Sequence, residues 1–81
     1  MTNLENISVP DDIHLDIDKT YDFIEANLPE KYTRQVFNLL PEELKVDLSY
    51  IRQVKRERIK NAPIMAALYR VAQFNYLQKQ S

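Results

Sequence analysis

The sequence predicts an all-α protein, a small bundle of four short helices with an extended acidic arm at its N-terminus. Apolar residues recur at helical spacing beyond residue 20, and Pro29, Pro41 and Pro63 divide that part of the chain into helix-sized segments. The alternation typical of a half-buried strand occurs only in residues 13–18, and one strand cannot make a sheet. A chain of 81 residues is enough for one domain.

The arm is predicted over residues 1–18 and the helical domain over residues 19–81. Residues 1–12 have no sustained periodicity, and Pro10 is followed there by two aspartates, so a flexible extension is expected. In residues 13–18, apolar side chains alternate with polar ones. This segment is therefore either an extended arm lying on the core or a short strand that pairs with a second copy of the chain or with another protein.

The first two helices are predicted between the arm and Pro41. Thr20 or Asp18 is expected to cap the first helix, which ends before Pro29. The second is predicted over residues 31–40, and Pro41 closes it. The segment that follows, "PEELK", is expected to form one helical turn at most.

A third helix is predicted to begin after Asp47, whose short side chain suits an N-cap. Leu48, Ile51 and Val54 fall within about 60° of one direction around the helix axis, so they predict one core-facing stripe. Three polar side chains face the opposite way with Arg52 beside them; they are Ser49, Gln53 and Arg56.

The fourth helix is predicted to begin near Asn61 and Pro63, which suit an N-cap and a first turn. It is apolar around much of its circumference. Such a helix is typical of a bundle centre or of a dimer contact.

The charges are divided unevenly along the chain. Residues 1–30 hold eight acids against one lysine, a net charge of −7, whereas residues 31–81 hold ten bases against four acids, a net charge of +6. This asymmetry favours a nucleic-acid partner, or an acidic arm that shields a basic surface or binds a protein; a merely solubilising arm is the plainer interpretation.

Composition argues against catalysis, metal binding and a membrane span. Cysteine and glycine are absent and only one histidine is present, so no nucleophile with its base and no phosphate-binding glycine loop can be recognised. His14 and its neighbouring aspartates lack the spacing of a calcium loop, and we expect no metal and no cofactor. Because no catalytic signature is recognised, we expect that the protein is not an enzyme. Because the sequence shows no leader and no apolar run of about 18 residues, a cytoplasmic protein is expected.

The stretch "LKVDLSYIRQV" resembles the helix-turn-helix of the phage repressor and Cro-like class of small DNA-binding proteins. Leu44, Val46, Asp47, Ile51 and Val54 occupy the spacing with which that class docks its recognition helix, and "KRERIKNAPIMAALYRVA" is similar to its basic link and following core helix. The resemblance covers residues 30–74. Lys45 stands where the family usually has glycine and Pro41 interrupts the first helix of the motif, so an enlarged turn is expected.

The resemblance implies a sequence-specific DNA-binding protein, a bacterial or phage transcriptional regulator that inserts helix 48–58 into the major groove of double-stranded DNA as a homodimer. The expected contacts to base edges are made by Ser49, Gln53 and Arg56. The expected contacts to the DNA backbone are made by Thr33, Arg34, Gln35, Tyr50, Arg52, Lys55, Arg58 and Lys60. The alternative is a small helical adaptor or inhibitor, of phage or antitoxin type, that binds a protein and no DNA.

Overall fold

Four α-helices make up the computed structural model, which describes residues 15–80. They are α1 (Ile17–Asn27), α2 (Tyr32–Leu39), α3 (Leu48–Glu57) and α4 (Ala62–Gln80), and a 3₁₀ turn (Glu42–Leu44) lies between α2 and α3. No strand occurs within residues 15–80. The predicted all-α class is therefore confirmed for the described part of the chain.

Helix α1 begins earlier than the sequence predicted. The side chain of Asp16 caps it by accepting a 3.0 Å hydrogen bond from the backbone N–H of Lys19, whereas Asp18 and Thr20 lie inside the helix. The predicted cap is thus wrong. The suggested strand is also wrong for residues 15–18, because Leu15 and Asp16 lie in a turn and bend and Ile17 and Asp18 are the first residues of α1. Residues 1–14 of the predicted arm lie outside the described residues.

Helix α4 is the centre of the bundle, because α1, α2 and α3 all pack against it. Its side chains Met65, Leu68 and Ala72 are 0% exposed. This position explains why its apolar residues are spread around the helix instead of forming one stripe, and it agrees with the first of the two predicted alternatives, a bundle centre or a dimer contact. The other fully or nearly fully buried apolar side chains are Tyr21, Ile24, Val36, Leu40, Ile51, Val54, Ile64, Ala67 and Val71.

The connection between α2 and α3 is held by Lys45. Its Nζ donates hydrogen bonds of 3.0 Å and 2.9 Å to the carbonyl oxygens of Phe37 and Leu40, and it lies 4.6 Å from the centre of the Phe37 ring. A cation placed on carbonyl groups at a helix C-terminus satisfies these acceptors and interacts favourably with the helix dipole. Lys45 has a φ of −67°, so no left-handed backbone is needed where a glycine was expected.

The two ends of helix α3 are capped differently. Asp47 occupies the N-cap position as predicted, but its side chain forms no capping hydrogen bond; its carbonyl oxygen accepts from the N–H groups of Tyr50 and Ile51. At the other end, Arg58 adopts a left-handed conformation with φ 53° and ψ 46°. Asn61 then caps α4, since its Oδ1 accepts a 3.3 Å hydrogen bond from the N–H of Ile64.

Candidate nucleic-acid interface

The outward face of α3 carries the residues that the sequence assigned to base contacts. Ser49 and Arg56 are exposed, and Gln53 is half-buried. Among the described residues, the side chains of Ser49 and Gln53 have no hydrogen-bond partner, and Arg56 forms only a 3.4 Å ion pair with its neighbour Glu57. The side chains of that pair are 72% and 50% exposed, so water screens the attraction strongly. Within residues 15–80, the only hydrogen-bond or ion-pair partner of these three side chains is therefore Glu57.

An open groove of about 550 Å³ runs between α2 and α3 beside this face. It brings together Arg52 of α3 with Thr33, Arg34 and Gln35 of α2, four residues that the sequence assigned to the DNA backbone. The other residues that line the groove are Glu30, Lys31, Asn38 and Leu48. Because Glu30 is the one acid facing three bases, the groove carries a net positive charge at neutral pH.

The N-terminus of α2 opens onto this groove. Lys31 occupies the N-cap position but forms no side-chain capping hydrogen bond; its carbonyl oxygen accepts a 3.4 Å hydrogen bond from Nε2 of Gln35. The first backbone N–H groups of a helix have no partner inside the helix, and they favour an anion. The groove therefore combines guanidinium groups, hydroxyl and amide donors, and a helix N-terminus, which is a donor set suited to phosphate oxygens.

Three other residues assigned to the DNA backbone lie away from this groove. Tyr50 is half-buried and packs against the core on the side of α1, close enough to Tyr21 to affect its pKa. Lys60 lines a second open groove of about 470 Å³, between residues 43–46 and the start of α4. Lys55 is half-buried on α3 and, within residues 15–80, its side chain has no hydrogen-bond or ion-pair partner.

Arg58 is held by the acidic face of α1. Its Nη1 lies 3.2 Å from Oδ1 of Asp18, and its Nη2 lies 2.8 Å from Oδ1 of Asp22 and 3.0 Å from Oε2 of Glu25. Nη1 also donates a 3.2 Å hydrogen bond to the carbonyl oxygen of Asp18. These hydrogen bonds, led by those to Asp22 and Glu25, raise the pKa of Arg58 further above its ordinary value. The guanidinium assigned to DNA is thus occupied within the chain.

Tyr21 of α1 also contacts the link between α3 and α4. It is 0% exposed, its hydroxyl donates a 2.8 Å hydrogen bond to the carbonyl oxygen of Ile59, and the Arg58 guanidinium lies 5.9 Å from its ring centre. Burial raises the pKa of Tyr21 to about 12, although the positive charge of Arg58 acts in the opposite direction. Tyr21 and the three carboxylates together fix the link between α3 and α4 to α1.

This cluster was not predicted from the sequence, although one signal for it was present. Asp18, Asp22 and Glu25 are spaced four and three residues apart, so they form one stripe along α1. Helical periodicity shows that such a stripe exists. It does not show which cation, 33 to 40 residues away in the chain, the stripe will contact.

No group of three or more His, Asp or Glu side chains within residues 15–80 is placed to hold a metal ion, and His14 and Asp12 lie outside that range. In that range, no helix has both the length and the apolar character required to cross a bilayer.

Comparison with known proteins gave no relative from which a function could be transferred. No protein-family model, no curated protein and no solved structure matches this chain.

Proposed function

We propose that this protein is a sequence-specific DNA-binding protein, a transcriptional regulator that inserts α3 into the major groove. The observation that carries this proposal is the position of the outward face of α3, where Ser49 and Gln53 have no partner within residues 15–80, beside the basic groove that Arg34 and Arg52 line. A major groove about 12 Å wide admits a helix, and the helix then presents its outward side chains to base edges. In this proposal, the charges beside that helix contact the flanking phosphates.

The outward face supplies groups that can distinguish bases. Gln53 can form two hydrogen bonds with adenine, and Arg56 can do the same with guanine, each good pair contributing roughly 1–3 kcal/mol of discrimination. Ser49 can donate to or accept from either base. The exposure of Ser49 and Arg56 leaves both side chains free to reach a base edge.

The groove supplies the contacts that position the helix without reading sequence. Thr33, Arg34, Gln35 and Arg52 would bind backbone phosphates there. The set proposed from structure is smaller than the set expected from sequence. It leaves out Tyr50, Lys55 and Lys60, which lie away from the groove, and Arg58, which is already paired.

In this proposal, α2 and α3 act as a helix-turn-helix with an enlarged turn, residues 1–14 belong to an acidic arm, and the protein binds as a homodimer. A single small module makes few base contacts, and two copies on a palindromic site reach a useful affinity. Tyr76 and Leu77, which are 39% and 38% exposed near the end of α4, provide an apolar surface for the second copy.

The test is a titration of the full chain with fluorescently labelled random duplex DNA, followed by selection from a random DNA pool. We expect binding that weakens by decades as salt rises from about 50 to about 200 mM, because released counterions drive the association. The selection should then yield one recurring sequence. Absence of binding at the lower salt concentration would contradict the proposal.

A second candidate function is a protein-binding adaptor, favoured by the exposed apolar residues Leu44, Tyr76 and Leu77. Exposed apolar side chains on a small protein can mark a protein-binding surface. The same titration separates the two functions, since an adaptor of this kind binds no DNA at any salt concentration.

A further inference from the structure

Arg58 has more hydrogen-bond and ion-pair partners than Arg52 and Arg56, the two arginines of α3. Arg52 has no side-chain partner within residues 15–80, and Arg56 has one weak ion pair, whereas Arg58 contacts three carboxylates and one carbonyl oxygen. A guanidinium presents its N–H groups in a planar fork that suits carboxylate and phosphate oxygens alike. The acidic face of α1 therefore offers Arg58 the same type of partner as a DNA backbone.

We propose that the stripe Asp18, Asp22 and Glu25 is an autoinhibitory element that occupies Arg58 in place of a DNA phosphate and so limits the affinity for DNA. This inference rests on the proposed function. It adds to that function an internal competitor for Arg58, which lies at the C-terminal end of α3, the helix proposed to enter the DNA major groove.

The two sides of this contact differ in burial, which decides how competition would occur. Helix α1 is anchored by Tyr21 and Ile24, both 0% exposed, so its carboxylates stay beside the junction. The side chain of Arg58 can exchange partners, because Asp18 and Asp22 are 87% and 71% exposed and solvent reaches their ion pairs. DNA phosphates would have to attract Arg58 away from a fixed acidic stripe.

The experiment compares two double variants of the full chain that remove the same amount of charge. The release variant is Asp22→Asn with Glu25→Gln, which removes both carboxylates from Nη2 of Arg58. The control is Glu42→Gln with Glu43→Gln, two exposed acids before α3 that do not contact Arg58. A third protein adds Arg58→Gln to the release variant. Binding to random duplex DNA is measured by fluorescence anisotropy over a range of salt concentrations, and circular dichroism verifies the helical fold of each protein.

We expect the release variant to bind about three- to tenfold more tightly than the control, with a salt dependence steeper by about one unit, as one further phosphate contact requires. Adding Arg58→Gln should remove both effects. If the contact is only structural, the release variant unfolds at a lower temperature and binds no more tightly than the control, which would overturn the inference. Persistence of the gain without Arg58 would overturn it as well.

The result also separates this inference from the function on which it rests. If the wild-type protein binds DNA and the release variant matches the control, the autoinhibitory role is wrong and DNA binding stands. If none of the proteins binds DNA at low salt, the proposed function fails, and the autoinhibitory role fails with it.

Discussion

The hydroxyl of Tyr21 donates a 2.8 Å hydrogen bond to the carbonyl oxygen of Ile59, which lies 38 residues later in the chain. This carbonyl belongs to the short link after α3, where the backbone leaves the helix through the left-handed Arg58. Glycine usually occupies such a position because it has no Cβ to resist that conformation. Contacts from α1, made by Tyr21 on one side and by three carboxylates on the other, hold this link where glycine would otherwise be expected.

The first prediction concerns the Tyr21 hydroxyl. Tyr21→Phe keeps the buried ring but leaves the Ile59 carbonyl without this donor, so the free energy of unfolding should fall by about 1–2 kcal/mol. Urea unfolding followed by circular dichroism measures the change. Tyr32→Phe is the matched control, because the Tyr32 hydroxyl has no hydrogen bond within the described residues. Equal effects of the two substitutions would show that the bond to Ile59 does not stabilise the fold.

The second prediction is a loss of stability at alkaline pH. Burial raises the pKa of Tyr21 to about 12 from an ordinary value of 10, so the unfolded chain loses the hydroxyl proton at lower pH than the folded chain. The stabilisation from this group is complete below pH 10 and is lost as the pH rises to about 12. Urea unfolding of wild type and Tyr21→Phe across this range isolates the contribution, since the two proteins differ only in this hydroxyl. Parallel curves would contradict the assignment.

The third prediction concerns Lys45 at the C-terminus of α2. Lys45→Met keeps most of the aliphatic chain but removes the cation that binds the carbonyl oxygens of Phe37 and Leu40, so stability should fall by about 1–2 kcal/mol. Lys19→Met on the exposed face of α1 is the control, because the Lys19 side chain has no partner within residues 15–80. Thermal and urea unfolding give the measurement. A loss of stability no larger than that of the control would mean that water forms equally good hydrogen bonds with these carbonyl groups.

Local pattern was sufficient to predict the helices and their buried faces. Ile51 and Val54 of the predicted stripe are 0% exposed, whereas its third residue, Leu48, is half-buried. The prolines at 29 and 41 lie between the helices they were expected to separate. These features depend on backbone geometry within a few residues, which periodicity reports directly. The N-terminal cap was predicted wrongly, since several aspartates near that end suit an N-cap and only the actual packing of α1 selects Asp16.

The positions of the candidate site residues relative to the other helices could not be predicted in the same way. The helical angle around α3 places Arg52 and Tyr50 on different flanks, but only the packed bundle shows that the first faces the groove with α2 and the second faces α1. Likewise, Arg58 has an ordinary sequence context within a basic run. Its partners come from a helix more than 30 residues earlier, and such long-range pairing depends on the docking of helices.

The fourth prediction concerns base recognition by the outward face of α3. Gln53→Ala with Arg56→Ala should remove the preference for the selected DNA sequence while leaving most of the affinity for random DNA, because base-edge contacts specify and phosphate contacts position. The measurement is the dissociation constant for random DNA divided by that for the selected sequence, a ratio that should fall at least about tenfold. Lys19→Ala, an exposed change on α1, is the control. Retention of the ratio would place base recognition elsewhere on the protein.

The fifth prediction concerns the groove between α2 and α3. Arg34→Gln with Arg52→Gln keeps polar side chains but removes two positive charges from the groove, so binding should weaken for selected and random DNA alike. The slope of log affinity against log salt should become shallower by about two units, since each lost phosphate contact releases about one counterion fewer. Lys60→Gln with Lys79→Gln removes the same charge away from the groove and should change the slope far less. If both pairs change the slope equally, DNA responds to the net charge of the protein, and the groove is not its binding site.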